Sequence, residues 1–202
     1  MAEIDCRHFN GYKPCAKNET CDRTRCSHFE SVRQRVLIVH LEALGAVLRS
    51  TALIPAIKRK YPKSTITWVT KAPADQLLMG LPDVDRVLTT DASGLLSLSA
   101  LQFDVGLVVD KSLQAAGVLS HTKVERVFGF RTNSFGAIVP ANGEALELWN
   151  LGLNDQKKFF ENKKSEAQLV HEALNLGEYR RDQYQVNLSV SEMAESFRRR
   201  EK

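Results

Sequence analysis

The hydrophobic pattern changes character near residue 35. Residues 1–34 are mostly polar, whereas residues 36–39 read Val-Leu-Ile-Val without interruption. A continuous apolar run of this length predicts a strand buried on both faces. Beyond a short turn, Val47, Leu48, Thr51, Ile54 and Ile57 recur at helical spacing. Pro55 lies inside that pattern and predicts a kink. Further strand patterns follow at 64–70 (STITWVT), 84–90 (VDRVLTT) and 103–110 (FDVGLVVD). Shorter ones occupy 124–130, 136–140 and 184–190. Helical stretches fall between them at 72–80, 113–120, 144–153 and 165–177. The last has clear punctuation: Ser165 and Gln168 form a capping box and Gly177 follows the final apolar turn. Ser189 and Glu192 open one more helix, which runs through Arg198, Arg199 and Arg200 to Lys202 without a stop signal. The expectation is a domain border, or a chain continuing into a larger protein.

Strands alternating with helices predict an α/β, Rossmann-like parallel sheet with right-handed crossovers. Three segments follow: a Cys-rich segment over 1–34, the Rossmann-like domain over 35–189, and a helix over 190–202. In such sheets ligands bind beyond the carboxyl ends of the strands. Those ends carry His40 to Ala46, Thr70 to Lys71, and Asp110 to Ser112.

Composition narrows the classes. Of 202 residues, 43% are hydrophobic and 26% charged, so a sizeable core forms and disorder throughout is excluded. A net charge of +4 suits anionic substrates or a membrane surface and is too small to argue for nucleic acid, which is not expected as a partner. The N-terminus lacks the apolar run of a signal peptide, and no stretch of about 18 apolar residues occurs. A cytoplasmic location is expected. Cys6, Cys15, Cys21 and Cys26 are separated by eight, five and four residues. In a reducing compartment four thiolates in one short segment favour a structural zinc site, with an iron–sulfur cluster as a weaker option. Disulfides and free thiols stay open, because no C-x2-C pair is present. A metal would staple a segment too polar to build its own core.

The turn after the first strand, Glu42-Ala43-Leu44-Gly45-Ala46, is the candidate site. Gly45 admits close approach of a ligand, the following helix offers its first amides, and Arg49 sits one turn on; together they suit an anion. The alternative is that Gly45 only permits a tight strand-to-helix turn. Lys71 and Lys111 stand at the ends of two other strands on the same rim. The isolated His121 and His171 are expected at the surface, and Trp68 and Trp149 in packing roles.

The stretch "VLIVHLEALGAVLRSTALIPAIKRKYPKSTITWVT", with Leu53-Ile54-Pro55-Ala56 and Tyr61-Pro62 inside it, resembles the N-terminal half of glycosyltransferase family 9, the ADP-heptose:lipopolysaccharide heptosyltransferases. "PDVDRVLTTD", "FDVGLVVDK", "VFGF", "IVP", "ELWNLGLND" and "KSEAQLVHEALNLG" continue the resemblance in the same order. It implies a GT-B architecture, in which this chain is the acceptor-side domain and a further domain binds the donor. The implied reaction is inverting transfer of a sugar from a nucleotide-sugar such as ADP-heptose to a lipid-linked saccharide acceptor. It belongs to lipopolysaccharide or surface-glycan assembly, with peripheral contact at the inner membrane, and needs no metal for its chemistry. The family's loop ends Gly-Asp, and that aspartate is the implied general base; here the position is Ala46. Glu42 is the remaining candidate base, provided the loop turns its carboxylate into the cleft. The chain alone is therefore expected to be inactive in transfer. A metal-stapled Rossmann-like binding module is the alternative reading.

Overall fold

The computed structural model describes residues 5–9, 11–21 and 25–187. Its centre is a six-stranded sheet in the order β3-β2-β1-β4-β5-β6. The strands are β1 (Gln34–Val39), β2 (Ser64–Thr70), β3 (Arg86–Thr89), β4 (Gln102–Val108), β5 (Lys123–Thr132) and β6 (Ile138–Pro140). The first five run parallel, and β6 turns back antiparallel to β5. The predicted α/β Rossmann-like class is the one observed, with β6 as the antiparallel exception. The strand order reverses between β1 and β4. In such sheets the switch point is where ligands bind, beyond the carboxyl ends of those two strands.

The helices are α1 (Leu44–Ser50), α2 (Leu53–Lys60), α3 (Asp75–Leu78), α4 (Ala92–Ser99), α5 (Leu113–Val118), α6 (Leu146–Leu153) and α7 (Glu166–Ala173). β1 is apolar without alternation because both faces are covered. Val36 and Ile38 pack with α1, α2 and Trp68, while Leu37 and Val39 pack with Leu98 of α4 and Ala115 and Val118 of α5. All four are fully buried, each contributing about 1.5–3 kcal/mol by transfer from water. A third, smaller cluster joins Phe130, Ala145 and Ala173, and Trp149 packs against it. The Trp149 indole donates to the Ile138 carbonyl at 2.8 Å, so this ring serves packing. Among the described residues no helix is long and apolar enough to cross a membrane.

Pro55 acts one turn upstream of itself. It has no N–H for the Thr51 carbonyl, and the predicted single helix divides there into α1 and α2. The Thr51 and Ala52 amides close short i→i−3 bonds to Leu48 and Arg49 at 3.1 and 3.2 Å. The Ser165 hydroxyl caps α7 by accepting from the Gln168 amide at 3.2 Å. The Gln168 side chain donates onward to Glu172 at 2.9 Å.

Two expectations fail. Residues 184–187 are not a strand: the Gln185 amide donates to the Thr51 hydroxyl at 2.8 Å, and the segment lies across the α1–α2 junction. The rest of that predicted strand, and the helix expected from Ser189 and Glu192, lie outside the described residues. His171 is not at the surface but 2% exposed. The chain after α7 doubles back over the helix, bringing the Tyr179 ring edge-on to the imidazole at 5.4 Å, and Arg59 pins that return through a bidentate pair with Asp182. A helical wheel places His171 on the polar side; only the long-range return covers it.

Gly129 marks a close backbone approach near the site. Its φ is +93°, and a Cβ there would run into the Val108 carbonyl oxygen on β4. Gly129→Ala is therefore expected to destabilise the fold by about 2–4 kcal/mol in chemical denaturation. Gly152→Ala, in open space near the end of α6, should be neutral or stabilising by up to about 1 kcal/mol. Equal effects of the two substitutions would contradict this reading.

Candidate functional site

The loop after β1 and the loop after β4 face each other across the switch point, and Asp110 joins them. One Asp110 oxygen accepts the Leu41 backbone N–H, and the other lies 3.5 Å from His40 Nε2. His40 is 5% exposed and its Nδ1 has no partner among the described residues. Burial lowers its pKa below the ordinary histidine value, and the nearby Asp110 carboxylate opposes that only in part. The neutral imidazole thus forms the floor under the loop.

Above this floor the Glu42-to-Ala46 segment is open. Glu42, Ala43, Leu44 and Gly45 are exposed and Ala46 is half-buried. Gly45 does not have a positive φ, and a Cβ there would meet only the tip of Arg49 at 3.8 Å. Neither backbone conformation nor packing demands a glycine here. Ala43 caps α1 without a side-chain bond, and its carbonyl accepts the Ala46 and Val47 amides at 2.8 and 2.9 Å. The Leu44 and Gly45 amides remain directed to the open side, as at any helix start.

The rim is ringed by the predicted residues, each already engaged. The Lys71 ammonium, from the end of β2, pairs with the Glu42 carboxylate and bonds the Gln114 amide oxygen. Arg49 Nη2 reaches Glu166 Oε2 of α7 at 3.1 Å. The Lys111 ammonium lies over the Phe130 ring, 4.8 Å from its centroid. Although Lys111 reaches the surface, protein crowds it on several sides and this desolvation lowers its pKa below the usual lysine range. Three cations (Arg49, Lys71, Lys111) therefore meet three carboxylates (Glu42, Asp110, Glu166), and the rim is charge-balanced rather than basic. Such exposed pairs are each worth about 0–1 kcal/mol, so a ligand oxygen can exchange with either partner. Glu42, the candidate base, has its Oε1 occupied by Lys71, and Ala46 offers no acceptor.

The structure places Gly45, Arg49, Lys71 and Lys111 at the carboxyl end of the sheet, as the sequence order of the strand ends implies. Sequence reasoning missed the roles of His40, Asp110, Gln114 and Glu166. The readable signal was a charged residue, Asp110, closing a strand that is otherwise wholly apolar beside the switch point.

The four cysteines are not gathered here. All four are free, half-buried thiols, and Cys6 forms a β-bridge with Ser31 just ahead of β1. Among the described residues no three His, Cys, Asp or Glu side chains converge to hold a metal ion, so the zinc site or iron–sulfur cluster expected on Cys6, Cys15, Cys21 and Cys26 is not formed there. Other contacts fasten the segment. Arg7 Nε meets Asp85 at 2.5 Å, its Nη2 donates to the Pro82 carbonyl at 2.9 Å, and the Val32 amide donates to the Asp5 carbonyl at 2.7 Å.

No protein-family model matches the chain, and no curated protein does. Solved structures do match. A glycosyl transferase family 9 protein from Veillonella parvula DSM 2008 superposes with a TM-score of 0.56 at 14% identity, over 81% of this chain and 47% of that one. The E. coli ADP-heptose LPS heptosyltransferase II superposes with a TM-score of 0.51 at 17% identity, over 82% and 50%. The likeness carried by the sequence motifs thus holds in three dimensions as a shared fold. The chain spans about half the length of either structure.

His40 and His171 are both buried with pKa lowered chiefly by desolvation. Below the unfolded histidine pKa of about 6.5 the unfolded chain binds protons that the folded chain resists, so stability falls as pH falls. The melting temperature should drop between about pH 7 and pH 5, and His171→Phe should flatten that slope. A slope unchanged by the substitution would remove His171 from the account.

Proposed function

We propose that this chain is the acceptor-side domain of a heptosyltransferase-like glycosyltransferase acting in lipopolysaccharide or related surface-glycan assembly at the cytoplasmic face of the inner membrane. The observation that carries the proposal is Gly45. It stands exposed at the start of α1 at the switch point, where the missing Cβ leaves room, beside the solvent-open ion pairs of Arg49 and Lys71. A bound polyhydroxylated ligand is what would use that space: its backbone approach is closest where no side chain intervenes, and paired Lys and carboxylate groups supply donors and acceptors to hydroxyls. The motif likeness and the shared fold supply the reaction class. A nucleotide-sugar such as ADP-heptose would bind a second domain, and the hydroxyl of a lipid-linked saccharide would attack the anomeric carbon with inversion. The nucleoside diphosphate leaves with the bonding electrons, and a base takes the hydroxyl proton.

A specific observation favours the second reading, a binding module without transfer. Position 46 carries a methyl group, and Glu42 is held by Lys71. Position 46 is the third residue of α1, where an aspartate suits the positive end of the helix. In a protein with both domains, Ala46→Asp is expected to raise transfer by about 10²–10⁴-fold, the usual range for a positioned general base. In either reading Arg49→Ala and Lys71→Ala should each weaken binding of a lipid-linked saccharide by about tenfold in calorimetry. Saccharide binding indifferent to both substitutions would overturn the site. High turnover by the Ala46 protein would show that the base lies elsewhere.

A further inference from the structure

The amino ends of β1 to β4 line a cavity of about 640 Å³, at the other end of the sheet from the Gly45 loop. That volume lies in the range of small-molecule sites. Its floor follows from strand register. Arg35 stands beside Thr65, and Thr67 beside Arg86. Alternate side chains share a sheet face, so these four lie on one face. Farther along, the same face carries Leu37, Val39 and Val69 and is covered by Leu98, Ala115 and Val118. Toward the amino ends it turns polar and cationic, and Arg33, just ahead of β1, adds a further guanidinium to the lining. The N-terminal segment supplies another wall through Asp5, Cys6, Arg7 and Phe9, and Leu101 adds a second apolar side chain.

Charge decides the occupant. Four guanidiniums and three carboxylates line the cavity. Two pairs are closed: Asp104 accepts from Arg35 at 2.7 Å, and Asp85 from Arg7 at 2.5 Å. Arg33 and Arg86 make no ion pair among the described residues. Asp5, the third carboxylate, is exposed, and the lining keeps one net positive charge. Two spare guanidiniums repel a metal ion, in spite of the Cys6 thiol beside them. They suit a phosphate monoester, which brings about two negative charges at neutral pH and oxygens matched to the guanidinium fork. Phe9 and Leu101 would be idle against a bare anion, and they fit a ligand with a carbon portion. We propose that this cavity binds a small organic phosphate, its phosphate group held by Arg33 and Arg86 and its carbon portion against Phe9 and Leu101. The site is independent of the acceptor reading, because the two lie at opposite ends of the sheet. Its occupant would tie β1 and β3 to the N-terminal segment and so stabilise the fold.

The test uses the intact chain with phenyl phosphate as the probe, followed by calorimetry. Phenyl phosphate should bind and raise the melting temperature. Inorganic phosphate, which lacks the apolar portion, should bind at least about tenfold more weakly. Arg33→Gln and Arg86→Gln should each weaken phenyl phosphate binding about tenfold, with the melting temperature of the unliganded chain unchanged. Phe9→Ala should weaken phenyl phosphate and leave inorganic phosphate as it was, while Arg49→Ala, at the Gly45 rim, should alter neither. No binding of phenyl phosphate, equal affinity for the two phosphates, or binding indifferent to both arginines overturns the proposal. Binding lost in Arg49→Ala would assign the phosphate to the rim and overturn it equally. No saccharide is present, so each of these failures is distinct from a failure of acceptor binding.

Discussion

The pairing of β1 with β4 organises the molecule, and two aspartates fix its limits. Val36 to Val39 lie against Val105 to Val108 in register. Just before that ladder Asp104 accepts the Arg35 amide at 2.6 Å and grips the Arg35 guanidinium at 2.7 Å; just after it Asp110 accepts the Leu41 amide. A one-residue slip would break both contacts and turn the buried side chains of β1 to the wrong faces. The Arg35 contact holds the Asp104 carboxyl below its ordinary pKa. Because β1 and β4 are neighbours in space but not in sequence, their exits diverge to opposite faces of the sheet, the arrangement that leaves room for a ligand between them.

The two ends of the sheet use charge differently. At the amino ends, Arg7, Arg35, Asp85 and Asp104 form close pairs that fasten the Cys-bearing segment and the strands. At the carboxyl ends, Arg49 and Lys71 make pairs that are open to solvent and to exchange. The same residue types thus hold structure at one end and leave a replaceable contact set at the other; the difference lies in the carboxylates, largely covered at the amino ends and exposed at the carboxyl ends.

Most of the fold was legible because burial leaves a local trace. The runs at 36–39 and 103–110 identify strands covered on both faces, and Ser165 identifies a helix start. That Gly45, Arg49, Lys71 and Lys111 share one end of the sheet was legible because they come after β1, β2 and β4, which run parallel. What escaped depends on contacts distant in sequence. His171 is covered by a return that Arg59 and Asp182 hold across more than one hundred residues. His40 matters only because Asp110 lies beside it, and the strand order decides that. The cysteine spacing invited a metal cage, yet Arg7, a residue with no motif around it, supplies the principal contact from that segment to the sheet edge.

The separation of fold and chemistry explains how the likeness and the departure coexist. β1, its bracketing aspartates and the Pro55 break preserve the loop whatever stands at position 46. Ala46 contributes helix propensity there and no contact on which the core depends. An alanine there in place of a carboxylate forgoes only the roughly 0.3–1 kcal/mol of a favourable helix-start charge, and the fold carries no record of whether transfer occurs.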